Sequence, residues 1–382
     1  MRLTFIHDHK FIEINNEFYS TGKFNQKILN RYKVGEIDNI QIIARLQDNE
    51  YSVESLSKIS SDSINVKPIR FLKNKYDFFF KKKKIENFLK NNLDVSDAII
   101  VRLPSEIGYI ALKYLNKEKF NYGIEMVGDP WDALWYHNSP IGKIMAIINR
   151  NKTKSFLKKS PTNIYVTKYY LQNKYPSKGN NYNASNVFID EVNDDYRVKE
   201  DEVFRIGMIA SLDTKYKGID TALKSLKRLK NKNINLEIVG NGPKEKWEEK
   251  IEKLNLKENV SLKGTLKGGY SVYKWMQSLD LYIQPSYTEG LPRALIEAMS
   301  NGVPVLASNV GGIPELLSDK YMHNAKDYKT FAKQIFKVYE DTKLRREMSK
   351  ENIEISKNYL KQNIDEQRIL FIKSIYGSFK NE

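Results

Sequence analysis

Short apolar runs alternating with longer helical patterns constrain this 382-residue chain more than any other feature. In the first half Leu3–His7, Ile40–Arg45, Asn65–Ile69, Ala98–Arg102, Gly123–Val127 and Asn163–Thr167 read as strands. In the second half the strands are Phe204–Ala210, Leu236–Gly240, Val260–Lys263, Leu281–Gln284 and Val303–Ala307. Several are continuous apolar runs, as parallel strands buried on both faces require. Helical stretches separate them, including Gly218–Lys230, Glu245–Leu254 and Ser271–Leu279. Each half therefore predicts a Rossmann-like, doubly wound α/β unit with a parallel sheet. The acidic, apolar-poor stretch Ile189–Glu202 lies between them. The expected organisation is one unit over residues 1–195, a second over 196–357, and a helical segment over 358–382. Ligands bind outside the carboxyl ends of parallel strands, so two facing units predict a cleft between them.

Chemistry concentrates in EGLPRALIEAMSNGVPVLASNVGGIPEL, Glu289 to Leu316. Two acids, Glu289 and Glu297, sit eight residues apart across the start of a helix, after the buried strand LYIQPS. Gly290 and Leu291 continue the turn. Pro292 suits the first helical position, where its missing N–H costs nothing. Arg293–Ser300 continues the helix and Gly302 is placed to end it. A strand-turn-helix of this kind aims backbone N–H groups at whatever lies above the turn, which makes an anion site. Glu297 leans back toward the same place from inside the helix. Two carboxylates beside a phosphate cradle suit a ligand with both phosphates and hydroxyls, such as a nucleotide-sugar.

The run resembles that of the retaining glycosyltransferases of family 4, the GT-B type. The matching pieces are Pro285-Ser286, Glu289 with Glu297, Ala298-Met299, Gly302-Val303-Pro304-Val305 and Gly311-Gly312-Ile313-Pro314-Glu315. The resemblance covers Phe204 to about Leu317 well and implies the GT-B fold. It implies that Glu297 holds the ribose hydroxyls and Glu289 faces the donor sugar. Lys217, followed by Gly218, matches the family's Lys-Gly and would carry charge onto the leaving diphosphate. Ser211 stands where many members carry Arg, which removes one positive charge from that site. Gly240 and Gly242 fall in a turn the family places near base and ribose; Gly264 and Thr265 would face the same crevice. Arg293 could reach a phosphate or a donor-sugar carboxylate, or pair with a surface acid. The final helix of GT-B enzymes packs on the N-terminal domain, and the same is expected here.

On the acceptor side, EMVGDPWDALWY (Glu125–Tyr136) follows a buried strand and gathers Asp129, Trp131, Asp132 and Trp135. Acids and flat aromatic faces suit sugar recognition. Many members carry a His on this loop; Gly128 stands there instead, with Asp129 beside it as the candidate polar group. Tyr19–Phe24, with Gly22 and Lys23, resembles the flexible Gly loop that closes near the diphosphate. His7, Asp8 and His9 end the first strand. They would suggest a metal, but no third and fourth ligands cluster with them, and no D-x-D triplet occurs. No metal or other cofactor is expected.

The net charge of +16 comes mostly from Lys, alongside abundant Asn and Ile. It fits compositional bias as well as it fits an anionic partner. No nucleic-acid-binding signature accompanies it, so nucleic acid is the least favoured partner. Lys73–Lys90 interleaves Phe with Lys and is the candidate contact with an anionic membrane surface. Cys is absent, and MRLTFIHDHKF places polar residues where a signal peptide's apolar core would lie. Both fit a cytoplasmic protein, peripheral on the membrane's inner face. The expected activity is retaining transfer of a hexose-type sugar from a nucleotide-diphosphate donor, UDP- or GDP-linked, to a hydroxyl of a cell-surface polysaccharide or lipid-linked glycan precursor. The rivals are a sugar-nucleotide epimerase of the same fold and a catalytically idle nucleotide-binding scaffold.

Overall fold

The computed structural model describes residues 1–21, 24–47, 56–74, 76–135, 140–193, 202–229, 232–266 and 269–376. The chain divides into two compact units, Met1–Asn186 with Asp365–Glu382, and Val187–Ile364.

The first unit's strands are β1 (Arg2–Ile14), β2 (Glu17–Ser20), β3 (Asn39–Leu46), β4 (Ser57–Lys58), β5 (Ile64–Pro68), β6 (Ala98–Leu103), β7 (Tyr122–Met126), β8 (Thr162–Tyr165) and β9 (Asn180–Asn183). Its helices are α1 (Gln26–Leu29), α2 (Asp77–Phe80), α3 (Lys82–Asn92), α4 (Glu106–Lys117), α5 (Pro130–Trp135), α6 (Pro140–Lys159) and α7 (Tyr170–Lys174). Seven strands pair in parallel in the order β5-β3-β1-β6-β7-β8-β9. β1 runs past the expected end at His7. Its register against β3 shifts between Ile6 and Lys10, and Ile12–Ile14 then pair antiparallel with β2. The alternating polar residues of His7–Lys10 belong to this twisted extension.

The second unit contains β10 (Phe204–Ile209), β11 (Ile234–Val239), β12 (Val260–Gly264), β13 (Leu281–Gln284), β14 (Val305–Ser308) and β15 (Met322–His323). Its helices are α8 (Ile219–Lys227), α9 (Glu245–Lys253), α10 (Tyr270–Gln277), α11 (Arg293–Ser300), α12 (Tyr328–Glu340) and α13 (Thr342–Ser356). The sheet is parallel throughout, ordered β12-β11-β10-β13-β14-β15. The order reverses between β10 and β13, where doubly wound sheets open a crevice at their carboxyl ends. One apolar cluster joins α8, α9 and α12 to the sheet, and a second joins α10 and α11.

The boundary falls nine residues before the expected 195/196. Val187 and Ile189 are buried in the second unit's core, and Ile189 exchanges backbone hydrogen bonds with Tyr359 and Lys361. The acidic stretch thus begins inside this unit. The C-terminal boundary falls within α14 (Lys361–Tyr376), whose residues from Asp365 belong to the first unit. Among the described residues, no helix is long and apolar enough to cross a membrane.

Candidate active site

Glu289 occupies the turn after β13, beside the β10/β13 reversal. Its Oε1 accepts three hydrogen bonds: Lys217 Nζ at 2.8 Å, Gln284 Nε2 at 2.8 Å and Ser286 Oγ at 2.7 Å. Gln284 is itself fixed, donating to Ser286 Oγ and accepting from Tyr282 OH, each at 2.9 Å. No described residue bonds Oε2. The side chain is 9% exposed and Lys217 22%. One oxygen is therefore clamped from β13, from the turn after it and from the loop before α8, while the other is left to solvent.

Two glycines let the chain close around this turn. Gly218 has φ +76°, and a Cβ there would lie 1.8 Å from the Pro285 carbonyl oxygen. Gly311 has φ +57°, and its Cβ would lie 1.8 Å from the Glu289 carbonyl oxygen. Any side chain at either position would push the Lys217 loop or the Gly311-Gly312 turn off the Glu289 loop. Tyr287 N donates to Tyr216 O at 2.7 Å and Gly312 N to Gly290 O at 2.7 Å, which laces the three segments together.

α11 starts at Arg293, so Pro292 is the residue before the helix rather than its first position. No side chain caps α11. Its first-turn amides remain suited to an anion. Arg293 pairs with Glu297 one turn on, 3.7 Å apart and part-exposed. This is the acid-paired arrangement of Arg293. Gly302, with φ +68°, follows the end of the helix; its N–H bonds Met299 O, and Val303 N bonds Ala298 O.

The remaining donor-side candidates line adjoining strand ends. The Ser211 carbonyl closes a turn onto Thr214 N and Oγ1. Gly240 and Gly242 follow β11, in the turn expected near base and ribose. The space a Cβ would fill is taken by Ala210 O at 1.8 Å and Asp213 N at 2.9 Å. These glycines join the loops after β10 and β11. Gly264 and Gly290 face open space, and Thr265 is exposed.

In the first unit Asp129 is only 3% exposed at its side chain. Its carboxylate accepts from Trp131 N at 2.8 Å, from the Tyr175 hydroxyl and, at 3.4 Å, from Tyr170 OH, and pairs with Lys174. A carboxylate so enclosed fixes the loop, so Asp129 is corrected from a catalytic candidate to an anchor. Asp132 shares Tyr170 OH at 3.4 Å. Trp131 and Trp135 stack on each other at 4.3 Å, with Arg150 over one ring and Lys143 over the other. Asp8 caps α4, accepting from Glu106 N and Ile107 N at 2.6 and 2.9 Å. Gly22 and Lys23 lie outside the described residues.

Reading from sequence missed a buried charge cluster beneath this loop. Glu125 at the end of β7 is 1% exposed. Its oxygens accept from Tyr32 OH, 2.9 Å from each, and from Arg368 of α14 at 3.0 Å, with Arg102 Nε 3.5 Å away. Burial pushes the Glu125 carboxyl up, but Arg102 and Arg368 more than offset this, and its pKa lies below the ordinary value. Burial raises the Tyr32 hydroxyl to about 12. A charge closing an apolar strand, as in AIIVR and YGIE, was the available signal. Gln284 was missed likewise, a lone amide in the apolar strand LYIQ.

A two-unit parallel α/β chain with an acid clamped at the sheet's reversal and an uncapped helix beside it is the class of the GT-B glycosyltransferases. Comparisons with known proteins agree. The family described as "Glycosyl transferases group 1" matches residues 191–355. Protein CapJ of Staphylococcus aureus is 36% identical over 386 residues, covering 99% of this chain and 97% of CapJ. Among solved structures, the lipopolysaccharide outer core galactosyltransferase WaaB in its apo form superposes with a TM-score of 0.68 at 14% identity, covering 99% of this chain and 100% of that one. Anabaena HepE in complex with UDP gives 0.65 at 13% identity, covering 100% and 99%. The chain belongs to the group 1 glycosyltransferases of GT-B fold, in the family that includes CapJ.

Proposed function

We propose that this glycosyltransferase moves a hexose-type sugar, with retention, from a UDP- or GDP-sugar to a hydroxyl of a cell-surface polysaccharide or its lipid-linked precursor. The observation that carries the reading is Glu289, held through Oε1 by Lys217, Gln284 and Ser286 with Oε2 open. A fixed acceptor oxygen suits the donor sugar's hydroxyls. Lys217 and the first turn of α11 stabilise the leaving diphosphate, and Glu297 takes the ribose hydroxyls. The bond from the anomeric carbon to the phosphate oxygen breaks as the acceptor oxygen bonds the same face. The departing phosphate oxygen takes the acceptor proton, so no protein base and no metal is required. HepE's complex with UDP supports the uridine donor, and WaaB's lipopolysaccharide substrate class supports a lipid-linked acceptor. Such an acceptor places the enzyme on the inner face of a membrane, cytoplasmic and peripheral.

The test is a thermal-shift panel of nucleotide-sugars, followed by product NMR with the stabilising donor. Release of nucleoside diphosphate only when acceptor is added, with the donor's anomeric configuration kept, is the expected result. An inverted product overturns retention; epimerised donor without transfer overturns the activity.

A further inference from the structure

The helix α6 presents apolar residues outward over its first half. Its buried residues are Ala146, Asn149, Thr153 and Leu157, which share one face at helical spacing. That face combines apolar packing, with Leu157 in the core cluster and Phe156 against it, and two polar contacts: Asn149 Nδ2 donates to Glu106 Oε1 at 2.7 Å, and Thr153 Oγ1 meets Tyr109 OH at 2.7 Å. The outward side of its first half carries Ile141, Ile144, Ile147 and Ile148, exposed by 69, 60, 44 and 39%. Scattered exposed apolar residues need no explanation, but four isoleucines grouped opposite a helix's buried face do. Further along the same helix the exposed residues are Asn151, Lys154, Ser155, Lys158 and Lys159. Pro140–Lys159 holds six Lys or Arg and no Asp or Glu. The stacked Trp131 and Trp135 flank it, under Arg150 and Lys143.

The segment Lys73–Lys90, expected to make the membrane contact, is partly drawn inward. Phe78 is buried in the core, Phe88 packs against it, and Lys81 pairs with Asp77 at 2.7 Å. Tyr76, Phe79 and Phe80 remain outward, with Lys73, Lys82–Lys84 and Lys90.

We propose that α6 docks the enzyme on a bilayer bearing anionic headgroups, its isoleucines entering the boundary between headgroups and acyl chains and Lys154, Lys158 and Lys159 remaining among the phosphates. Charge decides between occupants. A second copy would bring two wholly basic helices together, whereas an anionic surface attracts them. The Trp pair suits the same depth. The inference deepens the partner reading of the proposed function, yet it is read by binding alone, without turnover.

The experiment is sedimentation of the full chain with vesicles of phosphatidylcholine, with and without phosphatidylglycerol. The wild type should bind only the anionic vesicles. The double variant Ile144→Glu and Ile148→Glu should lower the bound fraction at least about fivefold with an unchanged melting temperature, since both positions are exposed. Lys154→Gln with Lys158→Gln should weaken binding most at low salt, because charge attraction is screened. Replacing Lys82–Lys84 by Gln should have the smaller effect. Unaltered sedimentation of the Ile144/Ile148 variant overturns the proposal. So does a wild-type dimer that this variant converts to monomer with vesicle binding unaltered, which would make the face a self-association surface.

Discussion

Glu289 and Glu125 are both held by three neighbouring side chains, yet the two units use them in opposite ways. Glu289 takes all its partners on one oxygen and leaves the other to solvent. Glu125 is enclosed on both oxygens by Tyr32, Arg368 and Arg102. The first arrangement orients a group for a ligand; the second neutralises a charge so that the chain can bury it. Asp129 follows Glu125 rather than Glu289, although it stands in the more conspicuous sequence. A carboxylate's function thus depends on which of its oxygens the fold occupies.

The sharpest way to break this contrast is one substitution at both places. Glu125→Gln leaves Arg102 and Arg368 buried without a counter-charge and should cost about 3–5 kcal/mol of stability, measured by denaturant unfolding. Glu289→Gln should cost about 1 kcal/mol or less in the same assay, since its pair with Lys217 is partly solvated. It should instead lower turnover about 10²–10³-fold, as loss of a fixed polar group at a reacting centre does. Equal stability losses at the two positions would erase the distinction.

Buried histidines supply a second comparison, because each unit contains at least one. Burial depresses His7 to about 3, His9 to about 4 and, in the second unit, His323 to about 4. The unfolded chain binds these protons near pH 6.5, so it holds more protons than the folded chain between there and about pH 4. Stability from these groups is complete above pH 6.5 and is lost as pH falls through that window. His323 stacks on Phe331 at 4.1 Å. His323→Phe should therefore blunt the acid loss by about 3 kcal/mol at pH 4 and leave the slope above pH 7 unchanged. Melting temperatures of the two proteins across pH would show a parallel decline if the histidine were not responsible.

Within the second unit, Glu297→Ala should raise the donor KM about tenfold with a smaller change in turnover, the reverse of Glu289→Gln, because a ribose contact persists from ground to transition state. The smallest expected effect is that of chelation. Turnover in excess EDTA should stay within about twofold of its initial value; a complete loss restored by Mn²⁺ or Mg²⁺ would place a metal on the diphosphate.

How far the sequence disclosed these features followed contact range. Most strands of the second unit lay close to the expected positions because apolar residues dominate them or alternate in them, as in LYIQ and VSLKG; the two-residue β15 was not expected. Glu289 and Glu297 stood out through a motif of local spacing and Lys217 through the Lys-Gly of its own loop; the fold brings Lys217 Nζ within 2.8 Å of Glu289 Oε1 across 72 positions. The end of β1 was not, since His7–Lys10 reads as a loop and becomes strand only through the ribbon with β2. β9, Asn180–Asn183, has no apolar pattern and exists by pairing with β8. Arg368 finds Glu125 across 243 positions, a distance at which no local pattern signals the partner. The membrane expectation on Lys73–Lys90 was likewise read from a string: tertiary packing draws Phe78 inward and leaves Tyr76, Phe79 and Phe80 exposed.

The chain's course through α14 has a consequence for the order in which the molecule is made. The unit that contains Met1–Asn186 is also completed by residues from Asp365 onward, whereas all of Val187–Ile364 lies between. During synthesis the later unit has its whole sequence available first, and Glu125 must wait for Arg368. A premature stop after Ile364 would spare every residue assigned to the donor sugar and its diphosphate while leaving a half-neutralised carboxylate inside the other unit. Damage to the residues from Asp365 onward should therefore read out in Met1–Asn186, as failure of the part made before the donor unit.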